Sequence, residues 1–305
     1  MKVSFIIIYC TPSLIFQKQF RDEKEWGHTP VSSYHDNYIL NRTKNLILQI
    51  SEFPVEKEIL VMDNSGDFPL DFKVKDLKVI PSVQTYLNTF GRMPDFVDGV
   101  PQDWFKKVKD DDYFDSKWVV STAYQHGIEM STGDYIILHH NDVEYLFEYY
   151  PPSKFINDVI NKLENDNLEY ITVDKKMVKE EKTNYSGYSD KIEYYSDAYW
   201  FLCRGDFYDK HNIYVDWMRG DTNHLPTITC VNKNLKFLHL PGFYEYWTKN
   251  DKKSLKNFKE KIIGWYVELW TKVTDSFFNV HTFNDIPFLI HNKGGTELGN
   301  IPTEN

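Results

Sequence analysis

The chain has little cysteine: Cys10, Cys203 and Cys230 are its three, odd in number and widely spaced. That excludes a disulfide framework and any Cys-x-x-Cys metal site, and makes a reducing cytoplasmic compartment the expectation. A long apolar run is missing too. The stretch from Val3 to Tyr9 is too short for a membrane span or a signal-peptide core. It is expected to be a buried first strand, in a protein with no span and room only for peripheral membrane association. Positive charge is in deficit, with a net charge of −10 and a pI near 5.5. No nucleic-acid partner is therefore expected, because a broad electrostatic grip on a polyanion needs the opposite sign. The lysines between Lys249 and Lys261 read as a solvated helix face, with a phosphate-binding or membrane-proximal patch as the alternative. No glycine-rich basic loop follows the first strand, where Tyr9-Cys10-Thr11-Pro12-Ser13 stands instead, which disfavours nucleotidyl transfer. The absence of a Gly-x-Ser-x-Gly elbow disfavours a serine hydrolase.

What is present is an ordinary globular composition. The 305 residues are 41% hydrophobic and 26% charged, enough for one large domain or two small ones. Aromatics reach 16%, and such rings fill cores or stack on bases and sugars. Apolar runs alternate with helical patterns through the first half, which predicts a parallel α/β sheet. The strands are Val3 to Tyr9, Glu58 to Met62, Leu77 to Ile80, Tyr135 to Leu138, Tyr170 to Val173, Ala198 to Cys203 and, as the last clear one, Leu235 to Leu240. Helices are predicted over Tyr38 to Ile50, Lys117 to Met130, Lys154 to Asn165 and Lys256 to Val273. Residues 84–116 read as an inserted lid, and 174–198 as a polar, tyrosine-rich segment; both are expected to govern acceptor choice. The tail from Lys293 is expected to be loose.

Residues with chemistry collect where these strands end. Gly133 to Glu144 runs from an apolar strand into His139, His140, Asn141, Asp142 and Glu144. Asp63 ends the second strand, Asp221 lies in the turn Arg219-Gly220-Asp221-Thr222, and His239 closes the late strand. Open α/β sheets bind ligands at the carboxyl ends of their strands, and oxygen and imidazole donors suit Mg²⁺ or Mn²⁺. The bland alternatives stay open. Asp63-Asn64-Ser65-Gly66 is a good turn in its own right, Tyr9 could be plain core, and Asp206 and Asp216 rival Asp221.

On these residues the chain resembles the inverting, metal-dependent glycosyltransferases of the GT-A fold, in the family 2 group and its rhamnosyltransferase-like branch. The resemblance covers roughly residues 1 to 245 and rests on four ordered segments. They are Val3 to Tyr9, Glu58 to Ser65, Ala123 through Glu144, and Gly220-Asp221 with Phe237-Leu238-His239. It implies a GT-A, Rossmann-like, mixed and mainly parallel sheet flanked by helices, with a C-terminal helical extension. The implied division is a domain over 1–245, with a nucleotide-sugar half to 145 and an acceptor half from 146, then an extension over 246–305.

The implied activity is transfer of a hexosyl or deoxyhexosyl unit from a UDP-, GDP- or TDP-sugar to a hydroxyl acceptor, expected to be a glycan. Tyr9, Thr11, Asp63, Asn141 and Asp142 would hold the nucleotide sugar; Asp142 and His239 would ligate Mn²⁺ or Mg²⁺; Asp221 would be the general base. His140, Glu144 and Trp217 would support the site, and Trp200, Trp217, Tyr244 and Trp247 are candidate platforms for a sugar ring. Two departures are plain: His140-Asn141-Asp142 stands for the family's Asp-x-Asp, and His126 replaces its usual Asn. They leave open a second reading, a non-catalytic GT-A domain that binds nucleotide or glycan.

Overall fold

A computed structural model describes residues 1–10, 33–64, 70–81, 116–141, 143–174, 196–213, 224–240, 242–245 and 278–292. In chain order the strands are β1 (Lys2–Cys10), β2 (Glu56–Asn64), β3 (Leu77–Pro81), β4 (Tyr135–His140), β5 (Val143–Tyr145), β6 (Tyr170–Asp174), β7 (Ser196–Arg204), β8 (Leu238–Leu240), β9 (Gly242–Glu245), β10 (Phe278–Phe283) and β11 (Ile286–Asn292). The helices are α1 (Ser33–Ser51), α2 (Ser116–Met130), α3 (Pro152–Asn165), α4 (Phe207–His211) and α5 (His224–Asn232).

Seven strands form one sheet in the order β3-β2-β1-β4-β7-β6-β8. Every pairing is parallel except those of β7, which runs against both β4 and β6. The alternating pattern predicts a parallel sheet, and the mixed, mainly parallel one observed is the form that the resemblance implies. Both its faces are covered, and β1 accordingly reads as a continuous apolar run from Phe5 to Cys10, because a strand buried on two sides has no solvent face to alternate with. Val3, Phe5, Ile7 and Tyr9 point into one core with Ile39, Ile47 and Ile50 of α1 and Phe155, Ile156 and Val159 of α3. Ile6 and Ile8 point into the other, with Ala123 and Tyr124 of α2 and Phe207 and Tyr208 of α4.

The sequence reading ends its strands at Leu240, and here the structure differs. Strands β10 and β11 form a hairpin that joins β9 and β5 in a second, antiparallel sheet of order β5-β11-β10-β9. Phe283, Phe288 and Leu289 of that hairpin pack in the same core as β1 and α3. The helix expected over Lys256 to Val273, the lysine run, the lid, most of the tyrosine-rich segment and the tail lie outside the described residues.

At the end of the sheet where the parallel strands begin, backbone approaches backbone closely. Gly205 donates its N–H to the Asp134 carbonyl at 2.7 Å. A Cβ on Gly205 would fall inside contact distance of the Gly133 carbonyl oxygen, which no side-chain rotation can relieve. Gly205→Ala is therefore expected to lower the unfolding free energy by about 1–3 kcal/mol, the usual range for overpacking. A denaturant titration that overlays the wild-type curve would refute this.

Candidate functional site

The sheet reverses its winding between β1 and β4. From β1 the chain steps outward to β2 and β3 on one side, and β4 then returns to the other side of β1. In open α/β sheets the crevice at the carboxyl ends of the strands, at such a reversal, is where ligands bind. Register identifies the residues there. Tyr9 lies beside Asp63, and Ile8 beside His140. Asn141, only 8% exposed, then turns the chain toward β5. Asp63, Asn141 and His140 are thus brought to one edge by three adjacent strands.

The local roles of these side chains differ from one another. Asp63 is buried, and its Oδ2 accepts the backbone N–H of Leu70 at 3.1 Å, tying the connection after β2 back onto the strand. Tyr9 has no exposed surface and belongs to the core shared with α1 and α3, so its ring does not stand free for base stacking. His140 is half-buried on the α2 face, where its ring lies nearly parallel to Tyr124 at 5.9 Å. Glu144 is exposed on β5 and pairs in register with Ile290.

Three sequence expectations need correction. His139 and His140 do not converge, because neighbouring residues of a strand point to opposite faces. His139 is fully buried on the other side of the sheet, where its Nε2 lies 2.7 Å from the Tyr145 hydroxyl. Burial lowers the His139 pKa to about 3, so the ring is neutral at pH 7. Trp200 is no sugar platform: it has no exposed surface, and its Nε1 donates to the same Tyr145 hydroxyl at 2.9 Å.

The third correction concerns His239. It is the middle residue of β8 and not its mouth, level with Thr172 of β6, and its Nε2 lies 3.2 Å from the Tyr170 hydroxyl. Burial lowers its pKa to about 4. Three strand spacings, about 14 Å, separate β8 from β4. His239 is therefore not a neighbour of the end of β4, and Asp142, its expected partner as a metal ligand, lies outside the described residues. Among the described residues no group of three or more His, Cys, Asp or Glu could hold a metal ion. At this edge Asp63 and Asn141 are the described residues that carry oxygen donors of the kind a hard cation takes.

Asp142, Thr11, Asp221, Trp217, Asp216 and Trp247 lie outside the described residues, as does the side chain of Tyr244. No helix among the described residues is long and apolar enough to cross a membrane. A cavity of about 440 Å³ between α2 and α4, lined by Gln125, Glu129, Ser131 and Asp209 among others, opens at the opposite end of the sheet and includes none of the expected residues. Sequence reasoning missed Gln49 and Tyr145: Gln49 bonds the Tyr145 main chain on β5, the Tyr145 hydroxyl meets His139 and Trp200, and no motif marks either one.

No family model and no curated protein matches the chain. It is similar to the bifunctional IspDF from Campylobacter jejuni, at 13% identity over 84% of this chain and 54% of that one, with a TM-score of 0.40. It is also similar to the CMP:2-keto-3-deoxy-manno-octonic acid synthetase complexed with CTP, at 10% identity over 90% and 100%, with a TM-score of 0.40. The galactosyltransferase LgtC in complex with donor and acceptor sugar analogs matches at 11% identity over 79% and 73%, with a TM-score of 0.34. The chain therefore spans about half the length of the first of these. Such likenesses carry no argument about activity, and the α/β architecture stands on the strand order itself.

Proposed function

We propose that the chain is a glycosyltransferase that moves a sugar from a nucleoside-diphosphate sugar to a hydroxyl acceptor, a glycan, with inversion. One observation carries the reading: Asp63 and the His140-Asn141 end of β4 flank β1 at the winding reversal, where this class of sheet binds nucleotides. In this reading Asp63, buried beside Tyr9 with its Oδ2 on the Leu70 N–H, contacts the base of the nucleotide. On the same reading Asn141 and Asp142 address the diphosphate end of the donor, and Thr11 contributes its hydroxyl to nucleotide binding. A divalent cation, Mn²⁺ or Mg²⁺, held by Asp142 and the diphosphate would supply charge neutralisation for the leaving group. Asp221 takes the proton of the acceptor hydroxyl as it attacks from the opposite face. Trp217 supports the acceptor side.

Thermal-shift titration with UDP, GDP and TDP, each with and without Mn²⁺, tests donor binding. A shift with one nucleotide, enlarged by Mn²⁺ and lost in Asp142→Ala, is expected. No shift with any nucleotide would sink the reading. With the nucleotide known, Asp221→Asn is expected to lower turnover of the matching nucleotide sugar by about 10²–10⁴, leaving nucleotide affinity within about twofold. Nucleotide binding with no turnover in the wild type would favour a binding domain instead.

A further inference from the structure

The cavity of about 440 Å³ between α2 and α4 lies at the end of the sheet away from the donor crevice, and the activity proposed above uses none of its residues. Its size is that of a small-molecule site, for which about 300–1,000 Å³ is usual. Its charge has one sign. Glu129 of α2 and Asp209 of α4 stand on facing walls, both exposed, and no Lys, Arg or His is among the described residues that line it.

The hydrogen-bonding groups point the same way. Ionised carboxylates only accept. Gln125 Nε2 donates to Glu129 Oε1 at 2.8 Å, which steadies that carboxylate on the wall. The single hydroxyl hydrogen of Ser131 goes to the Ile128 carbonyl at 2.7 Å, so toward a ligand the Ser131 oxygen can only accept. Tyr208 also lines the cavity. It is 3% exposed, and its hydroxyl oxygen is buried with no hydrogen-bond partner among the described residues. A buried hydroxyl left in that state costs about 1–3 kcal/mol, and native structures keep few of them. Ile128 and Ile213 add apolar surface.

Such a lining repels phosphates and carboxylates, and it suits positive charge that carries N–H donors. A metal ion is a poor match, because a hard cation takes six or more oxygens and among the described residues no group of three or more His, Cys, Asp or Glu could hold one. An ammonium or a guanidinium needs only a few acceptors, spread over a wider space. We propose that this cavity binds a small organic cation, an alkyl ammonium or guanidinium compound. The Glu129 and Asp209 carboxylates supply the opposite charge, the Ser131 and Tyr208 hydroxyl oxygens accept N–H groups, and the carbon body lies against Ile128 and Ile213. The site is separate from donor binding and does not rest on that reading.

Isothermal titration of the full chain with putrescine and with agmatine at low salt tests it, with butanediol as the uncharged analogue and succinate as the anionic one. Saturable binding of an amine, weakened by added salt, is expected, with no binding of the diol or the diacid. Glu129→Gln and Asp209→Asn are each expected to weaken binding about two- to fivefold, the range for one exposed ion pair. Tyr208→Phe is expected to weaken it about two- to tenfold, the worth of one hydrogen bond, without lowering the unfolding temperature of the free protein. Asp71→Asn, at an exposed position ahead of β3, controls for the general attraction of an acidic protein and is expected to bind like wild type. If Tyr208→Phe does not fold, the two exposed carboxylate variants carry the test by themselves. No saturable amine binding, equal binding of the diol, cavity variants that bind like wild type, or a loss in Asp71→Asn as large as in Asp209→Asn would each overturn the inference. No nucleotide enters the titration, so such a failure leaves the glycosyl-transfer reading standing.

Discussion

Acidification from pH 7 to about 4.5 is expected to cost the fold about 5 kcal/mol from two histidines alone, as much as the lower end of the 5–15 kcal/mol that holds an ordinary domain together. The cause is buried imidazole. Burial lowers His139 to about 3 and His126 to about 4, whereas both stand near 6.5 in an unfolded chain. Above pH 6.5 neither state binds the proton, and these groups contribute nothing. Below it the unfolded chain takes up protons that the folded one refuses, so stability falls with pH until the folded values are reached. At pH 4.5 each group has fallen about two units below its unfolded value, and each unit is worth about 1.4 kcal/mol. His239, lowered for the same reason, adds in the same direction. Denaturant titrations at half-unit pH steps would show between about two and three protons taken up on unfolding between pH 6 and 4.5. A stability that stays flat across that interval would contradict the burial of these rings.

Removing the carboxylate of Glu58 is expected to be the most damaging single substitution at the far end of the sheet, costing about 3–5 kcal/mol as Glu58→Ala. Glu58 is 4% exposed on β2. Its Oε1 accepts from the Ser4 hydroxyl at 2.7 Å, the Thr132 N–H at 2.6 Å and the Thr132 hydroxyl at 3.0 Å. Its Oε2 meets Lys78 Nζ at 3.3 Å and Lys2 Nζ at 3.5 Å. One carboxylate thus ties β1, β2, β3 and the approach to β4 together. Burial by itself would raise its pKa, but the hydrogen bonds from Ser4, Thr132 and Lys78 outweigh burial and hold it at about 2. Because the folded value is depressed, the group's contribution is complete above its ordinary value near 4.5 and is lost as pH falls toward 2. Loss of only about 1 kcal/mol or less in the alanine variant would mean that the lysines and Thr132 find water as good a partner.

The two effects separate cleanly. Histidine burial acts from pH 6.5 downward, and the Glu58 contribution, complete at higher pH, begins to be lost only below about 4.5. A double experiment, Glu58→Ala followed across pH, should therefore keep the histidine slope and lose the acid limb.

Much of the large sheet is legible in the chain because its evidence is local. Six residues of β1, Phe5 to Cys10, are apolar in a row, and α3 carries Phe155, Ile156, Val159, Ile160 and Leu163 along one face. A strand buried on both sides, or a helix buried on one, writes its environment into its own spacing. The short strands β5 and β9 have no such spacing, since three or four residues are too few to show a period. The hairpin did leave a signal. Asn284 and Asp285 sit at positive φ, 51° and 61°, between the apolar runs of β10 and β11, and two-residue hairpins demand residues that tolerate that conformation.

The sequence by itself determined that an α/β sheet forms, which runs build it, and that Asp63 and His140-Asn141 come at strand ends. Only the tertiary structure decided which of those ends meet. Pairing partners are separated by tens of residues, so register, and not spacing, puts Asp63 beside Tyr9, sends His139 to the opposite face from His140, and leaves His239 three strands from β4. The same holds for Tyr145 and Gln49, 96 residues apart, whose paired hydrogen bonds exist only because α1 packs along the edge of a strand that nothing in its own sequence announces.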